Sequence, residues 1–157
     1  MAKKTYNAQE KIKEKITAKA IKKNANVSLK YSTELAREIK GKKVKRVKEF
    51  LQNIIDKKEF LPLRKYVKKV AHRKGDSKSK TKTGRYPEKT AKAFLELINS
   101  AESNADYKGL ETENLFVKHA FASMGYSRIS HQPKGKIGGK RRKKKSSHIE
   151  VILQEGK

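Results

Sequence analysis

The chain has 157 residues, with 42 Lys and Arg against 16 Asp and Glu, a formal net charge of +26. That length fits one domain, or one domain with an arm, and an apolar share of 34% is low but enough for a small core. No apolar run approaches the ~18–20 residues of a membrane-spanning helix. The start, Met1-Ala2-Lys3-Lys4-Thr5, has no apolar stretch behind its charges and predicts no signal peptide. With no Cys there is no disulfide, thiolate metal site or cysteine nucleophile.

The charge is unevenly spread. Residues 1–56 carry 16 basic and 6 acidic side chains, and residues 57–90 carry 13 and 3. Residues 91–113 reverse the sign with 2 and 5, and residues 114–157 return to 11 and 2. Between Glu113 and Glu150 there is no acid at all. Charge used only for solubility would mix the signs. The pattern predicts long stretches facing a polyanion and one stretch turned away from it. An anionic membrane would suit a basic amphipathic helix, but the most basic stretch is Gly-rich and non-amphipathic.

In chain order, residues 1–24 form a Lys-rich, weakly helical extension read as a solvated or partner-ordered tail, with Ile12, Ile16 and Ala20 recurring every four residues as a narrow helical stripe in the competing reading. Val27, Leu29 and Tyr31 alternate with polar neighbours and predict a short strand. Ser32 is a candidate N-cap for a helix with Leu35, Ala36 and Ile39 on one face and Gly41 at its end. Val44, Val47, Phe50, Leu51, Ile54 and Ile55 give the next helix its apolar face, and Pro62 bars its continuation. Residues 61–86 read as an irregular basic segment, with Lys74 to Thr83 a loop by composition. Pro87 and Glu88 open a third helix, with Ala91, Phe94, Leu95, Ile98 and Ala101 on its apolar stripe, an end near Asn104 or Ala105, and a turn at Gly109.

From Leu115 the period becomes two. Phe116, Lys118, Ala120 and Ala122 alternate with Val117, His119, Phe121 and Ser123, and Ile149, Val151 and Leu153 alternate with His148, Glu150 and Gln154. Residues 115–155 therefore read as one long antiparallel hairpin with its tip near 135–140. An arm rich in Lys and poor in apolar residues has no core to fold onto, and an isolated hairpin is marginal in water. It needs an external scaffold.

The chemistry-bearing candidates are basic. Lys140 to Lys145 is a run of six consecutive cations. Its placement inside a hairpin favours phosphate neutralisation over a disordered patch or a nuclear-import signal. Arg64, Lys65, Lys68, Lys69, Arg73 and Lys74 form a second cluster with Tyr66 and His72 among them. Arg and aromatic rings stack on unpaired bases, although Tyr66 in the core is the competing reading. Lys78, Lys80, Lys82 and Arg85 alternate with Ser, Thr and Gly in an extended loop that RNA would order, with a floppy solvent loop as the competing reading. His72, His119, His131 and His148 show no metal-ligand spacing. His119 and His148 are expected to face each other across the hairpin base. No catalytic constellation, P-loop or dinucleotide motif is present, so neither an enzyme nor a cofactor is expected.

Several segments carry a family resemblance. They are Ala36-Arg37-Glu38-Ile39-Lys40-Gly41-Lys42, Leu61-Pro62-Leu63-Arg64, Gly84-Arg85-Tyr86-Pro87-Glu88-Lys89, Asn99 to Ala105 followed by Lys108-Gly109-Leu110, and Ser147 to Leu153. In this order they resemble the universal large-subunit ribosomal protein family that is twenty-second in bacterial naming, in its archaeal or eukaryotic form, over roughly residues 27–155. The short stretch after Gln154 favours the archaeal form. The resemblance implies an α+β fold of three helices packed on a small three-stranded antiparallel sheet, with a long protruding β-hairpin. On this reading residues 1–24 are a basic extension and residues 25–155 one body, of which 120–148 form the arm.

The resemblance also implies function. It is that of a structural constituent of the large ribosomal subunit, in the cytoplasm, with no catalytic activity. It would bind large-subunit rRNA and neighbouring large-subunit proteins and support assembly. Its hairpin tip would line the nascent-peptide tunnel and meet the nascent polypeptide. No membrane or small-molecule substrate is implied. The rRNA-contact set expected on these grounds adds Lys42, Lys43, Tyr86, Arg128, Lys134 and Lys136 to the cations of the two basic clusters and to Lys140, Arg141, Arg142, Lys143, Lys144 and Lys145. The tunnel-facing tip would be Lys134, Gly135, Lys136, Ile137, Gly138 and Gly139, where the family's Arg-containing pattern is replaced by Lys and Gly. The alternative is a general nucleic-acid-packaging protein, which explains the charge but not the acidic stretch at 91–113.

Overall fold

The computed structural model describes residues 6–9, 13–66, 69–74, 81–132 and 140–156. Its elements are β1 (Thr17–Ala25), α1 (Leu29–Ile39), α2 (Val44–Ile55), β2 (Leu61–Pro62), β3 (Gly84–Arg85), α3 (Glu88–Tyr107), β4 (Leu115–Gln132) and β5 (Lys140–Glu155). The fold is α+β. A three-stranded antiparallel sheet has the order β1-β5-β4, and β2 and β3 form a separate two-stranded ribbon. No helix among the described residues is long and apolar enough to cross a membrane.

The helices form where apolar residues recur at helical spacing. Val47, Leu51 and Ile54 of α2 and Ala91, Phe94, Ile98 and Ala101 of α3 are fully buried. They share one core with Leu35 and Ile39 of α1 and with Ala18, Ala20, Val117, Ile149, Val151 and Leu153 of the sheet. The predicted stripes of α2 and α3 are thus core. α3 runs to Tyr107, two residues beyond Ala105 and just short of the turn at Gly109. Gly41 follows α1 with φ +81°, a left-handed conformation that costs glycine little, and its N–H donates to the Val117 carbonyl at 2.8 Å.

Several expectations are corrected. The helical stripe over Ile12, Ile16 and Ala20 is not formed. Residues 17–25 are strand β1, and Ile12 lies outside the described residues. β1 pairs with β5, Ala18 opposite Leu153 and Ala20 opposite Val151, so its small residues sit under the helices. The strand predicted over 27–31 is also absent. Leu29 and Tyr31 are in the first turn of α1, whose N-cap position is Ser28 and not Ser32. Ser32 is inside the helix, fully buried. The segment 61–86 is not wholly irregular, because Leu61 pairs with Arg85, Pro62 with Gly84, and His72 bridges Thr83.

The hairpin has the predicted strands, with two interruptions. A bulge sets Val117 opposite Leu153 but His119 opposite Ile152, which shifts the alternation by one residue at Lys118. Val117 and Ala120 therefore both face the core. A second bulge lies between Met124 and Ser127. His119 and His148 do not face each other, since His148 is opposite Ser123.

Candidate nucleic-acid interface

Beyond Ala122 on β4 and before Ser147 on β5, no described residue of the hairpin is buried. At about 3.3 Å per residue this bare part of the ladder extends on the order of 30 Å. Its register is Ser127 to Lys145, Arg128 to Lys144, Ile129 to Lys143, Ser130 to Arg142, His131 to Arg141 and Gln132 to Lys140. Side chains directly opposite in an antiparallel pair share a face, and neighbours along a strand alternate. Arg141, Lys143 and Lys145 thus lie on one face, and Arg142 and Lys144 lie on the other with Arg128. The basic run charges both faces of a thin ribbon. All six of these side chains are exposed, and none has a carboxylate partner among the described residues.

The root of the arm is clipped by β1. Asn24 has φ +53°, a left-handed conformation that Asn tolerates better than most residues. Its Oδ1 accepts the Tyr126 N–H at 3.1 Å, and its own N–H donates to His148 Nδ1 at 3.1 Å. The Ser146 hydroxyl donates to the Tyr126 carbonyl at 2.6 Å and lies 3.2 Å from Asn24 Oδ1. Gly125 leaves the room: a Cβ there would be 2.7 Å from Ser146 Oγ and 2.9 Å from Asn24 Oδ1. Nothing in the local sequence signals this clip, because its partners are more than 100 residues apart along the chain.

The second basic cluster is held by acids of α1. Glu34 is buried, and its carboxylate accepts the backbone N–H groups of Lys65 at 2.7 Å, Tyr66 at 2.6 Å and Arg64 at 3.4 Å. These bonds compensate the burial of a charge. They anchor the backbone of 64–66 while the Arg64 and Lys65 side chains stay exposed. Glu38 meets Lys42 at 3.0 Å and Arg64 at 3.4 Å. Lys69, Arg73, Lys74 and Lys82 are exposed, and the Arg73 N–H bonds the Lys82 carbonyl at 3.0 Å. The Arg73 guanidinium lies 5.9 Å from the Tyr86 ring centre, and that ring meets Phe60 edge-on at 6.5 Å.

The remaining predicted residues divide. Tyr86 and Arg85 are half-buried. Arg85 donates to the carbonyls of Gly84 at 2.8 Å and Ala71 at 3.3 Å, so both act in positioning the segment. Tyr66 is half-buried with Lys65 5.6 Å from its ring centre. Lys43 is exposed, whereas Lys42 is half-buried, with its ammonium 5.4 Å from the Phe50 ring centre. Lys68, Lys78 and Lys80, and the expected tip of Lys134, Gly135, Lys136, Ile137, Gly138 and Gly139, lie outside the described residues.

Elsewhere on the body four lysines meet glutamates. Lys22 pairs with Glu96, Lys48 with Glu102, Lys45 with Glu113 at 3.1 Å and Lys57 with Glu88 at 3.2 Å. The acidic stretch is a local counter-charge for lysines of β1 and α2, and Glu88 is one for Lys57 in the turn after α2. On the sheet face opposite the helices, Glu150 is buried. Its Oε1 lies 2.9 Å from His119 Nε2 and accepts the Asn7 N–H at 2.9 Å. Burial, and secondarily the Glu150 carboxylate, pushes the Tyr6 phenol above its ordinary value. This strapping of residues 6–7 onto the sheet was not foreseen from sequence.

Fold and charge pattern together define a basic α+β body carrying a long, bare β-ribbon. The sequence pattern of the family described as ribosomal protein L22p/L17e matches residues 20–154, beginning inside β1 and upstream of the quoted motifs. The chain belongs to this family, in its archaeal type, and is a structural ribosomal protein and not an enzyme. It is 38% identical over 146 residues to the large ribosomal subunit protein uL22 of Methanopyrus kandleri, covering 93% of this chain and 91% of the relative. The protein of the same name from Ignicoccus hospitalis is 40% identical over 140 residues, 88% of each chain. That from Methanocaldococcus jannaschii is 37% identical over 139 residues, again 88% of each.

Proposed function

We propose that the chain is a constituent of the large subunit of the cytoplasmic ribosome, binds large-subunit rRNA and supports subunit assembly. In this reading the arm threads between rRNA segments and its tip lines the nascent-peptide tunnel. The observation that carries it is the two-sided ribbon, with Arg141, Lys143 and Lys145 on one face and Arg128, Arg142 and Lys144 on the other. A protein lying on one nucleic-acid surface needs cations on one face only. Cations on both faces suit a ribbon surrounded by phosphate. Such contacts release counterions and position the arm without reading sequence, so specificity comes from RNA shape and 2′-hydroxyl groups. The exposed Arg64, Lys65, Lys69, Arg73, Lys74 and Lys82 supply a second contact surface on the body, and family membership supports the ribosomal setting over nucleic-acid packaging.

Deletion of residues 128–147 tests the assignment. In cryo-electron microscopy of subunits assembled with this variant, the body is expected in place and a segment of tunnel wall missing. An intact wall overturns the tunnel assignment, and absence of the body from otherwise assembled subunits overturns its independent seating on rRNA.

A further inference from the structure

Where the arm leaves the body, a hollow of ≈ 360 Å³ is lined by Asn24, Asn26, Tyr126, Arg128, Lys144, Lys145 and Ser146. Three features of it point to a ligand of one kind. The first is Tyr126. Its N–H is held by Asn24 Oδ1 and its carbonyl by the Ser146 hydroxyl, so its backbone is pinned on both sides. Yet its side chain belongs to a residue 66% exposed and has no aromatic or cationic partner among the described residues. A ring presented this way is a stacking platform.

The second feature is the pair Arg128 and Lys144, directly opposite each other across the ladder. Like charges in that position repel, and an anion seated between them removes the penalty. The third is the Asn24 amide. Its Oδ1 is occupied by the Tyr126 N–H, which fixes the amide orientation and leaves Nδ2 as a donor with no partner among the described residues. The volume is at the low end of the ~300–1,000 Å³ range of small-ligand sites, suited to one nucleotide and too small for a duplex.

We infer that this hollow takes a single unpaired nucleotide of an RNA strand, with the base on Tyr126, the phosphate between Arg128 and Lys144, and Asn24 Nδ2 donating to an acceptor on the base edge. The inference rests on the RNA-binding reading above and adds a chemical class to it. Along the arm the ribbon meets phosphate, whereas at its root it holds an unstacked base.

The test uses the full chain and a ten-nucleotide oligouridylate RNA with one central 2-aminopurine, whose fluorescence is quenched when it stacks. Wild type and Tyr126→Phe are expected to quench it on binding. Tyr126→Ala is expected to lose the quench and to bind roughly 5- to 100-fold more weakly, with an unchanged melting curve because the ring is exposed. Lys144→Gln should keep the quench while the dependence of log affinity on log salt becomes shallower by about one. Quenching by Tyr126→Ala equal to that of wild type overturns the site. So does tight wild-type binding without quenching, which leaves RNA binding itself intact. No binding by wild type in low salt overturns both readings.

Discussion

In the body, Lys22, Lys45, Lys48 and Lys57 each meet a glutamate at one of positions 88, 96, 102 and 113. In the arm, Arg128 stands opposite Lys144, and Arg141, Arg142, Lys143 and Lys145 have no carboxylate partner among the described residues. The two regions also differ in burial. Phe94, Leu51 and Ile98 are fully enclosed in the body, while Met124, Tyr126 and Ile129 of the arm are exposed. Exposed ion pairs each contribute only a few tenths of a kcal/mol, so the pairing in the body matters less for stability than for what it cancels. It leaves a body that folds through its own core with part of its positive charge met locally, and a ribbon whose cations have no carboxylate partner among the described residues. The arm's shape depends on its ladder and on whatever anion surrounds it.

The largest separation of the two regions comes from neutralising Arg141, Arg142, Lys143, Lys144 and Lys145 together to Gln. Each lost phosphate contact removes roughly 0.7–0.9 from the slope of log affinity against log salt, so affinity for large-subunit rRNA should fall about 10³- to 10⁴-fold near 0.1 M salt. The melting temperature should not drop, because no core residue is touched. Filter binding across a salt series and a thermal melt check the two halves. A drop in stability with unchanged affinity would reverse the roles assigned to arm and body.

The converse substitution is Phe94→Ala. Phe94 is fully buried in the core shared by α3 and the sheet. Its removal should cost about 3–5 kcal/mol and lower the melting temperature by roughly 10–20 °C. At temperatures where the variant is still folded, the salt slope for RNA should match wild type. A shallower slope there would show that core packing and arm charge are not separable.

How far the sequence could be read follows the same division. α2 and α3 were legible because their apolar residues recur at 3.6-residue spacing over three or more turns, and local period decides such helices. β1 was not, since its inward residues Ala18 and Ala20 are small and its outward ones include Lys19, so alternation is weak. The five-residue alternation at 27–31 was too short to outweigh helix α1, which buries Leu35 and Ile39 on the same core. The position of the bare cations was legible from charge alone. The devices that aim them were not. Glu34 acts on backbone N–H groups about 30 residues away, and Asn24 on a bulge about 100 residues away. Such contacts leave no periodic trace in the chain.

Gly125 lies where the two regions meet, and Gly125→Ala sharpens the comparison most finely. The added methyl would be 2.7 Å from Ser146 Oγ, 2.9 Å from Asn24 Oδ1 and 3.2 Å from the Ser146 carbonyl carbon. Both polar atoms are tied to the Tyr126 backbone by hydrogen bonds and cannot swing away without breaking them. Alanine alone would stabilise by restricting the unfolded chain, about 0.4–1 kcal/mol, but overpacking of this kind costs about 1–3 kcal/mol and outweighs it. The net expectation is a loss of about 1–2 kcal/mol, seen as a fall of a few degrees in the melting temperature. Because no cation is removed, the salt slope for rRNA should be unchanged. Because the clip is opened, the amide signals of Asn24 and Tyr126 should shift while those of α2 and α3 stay in place. A rise in melting temperature would mean that the root tolerates a methyl group, and that the clip does not depend on glycine at 125.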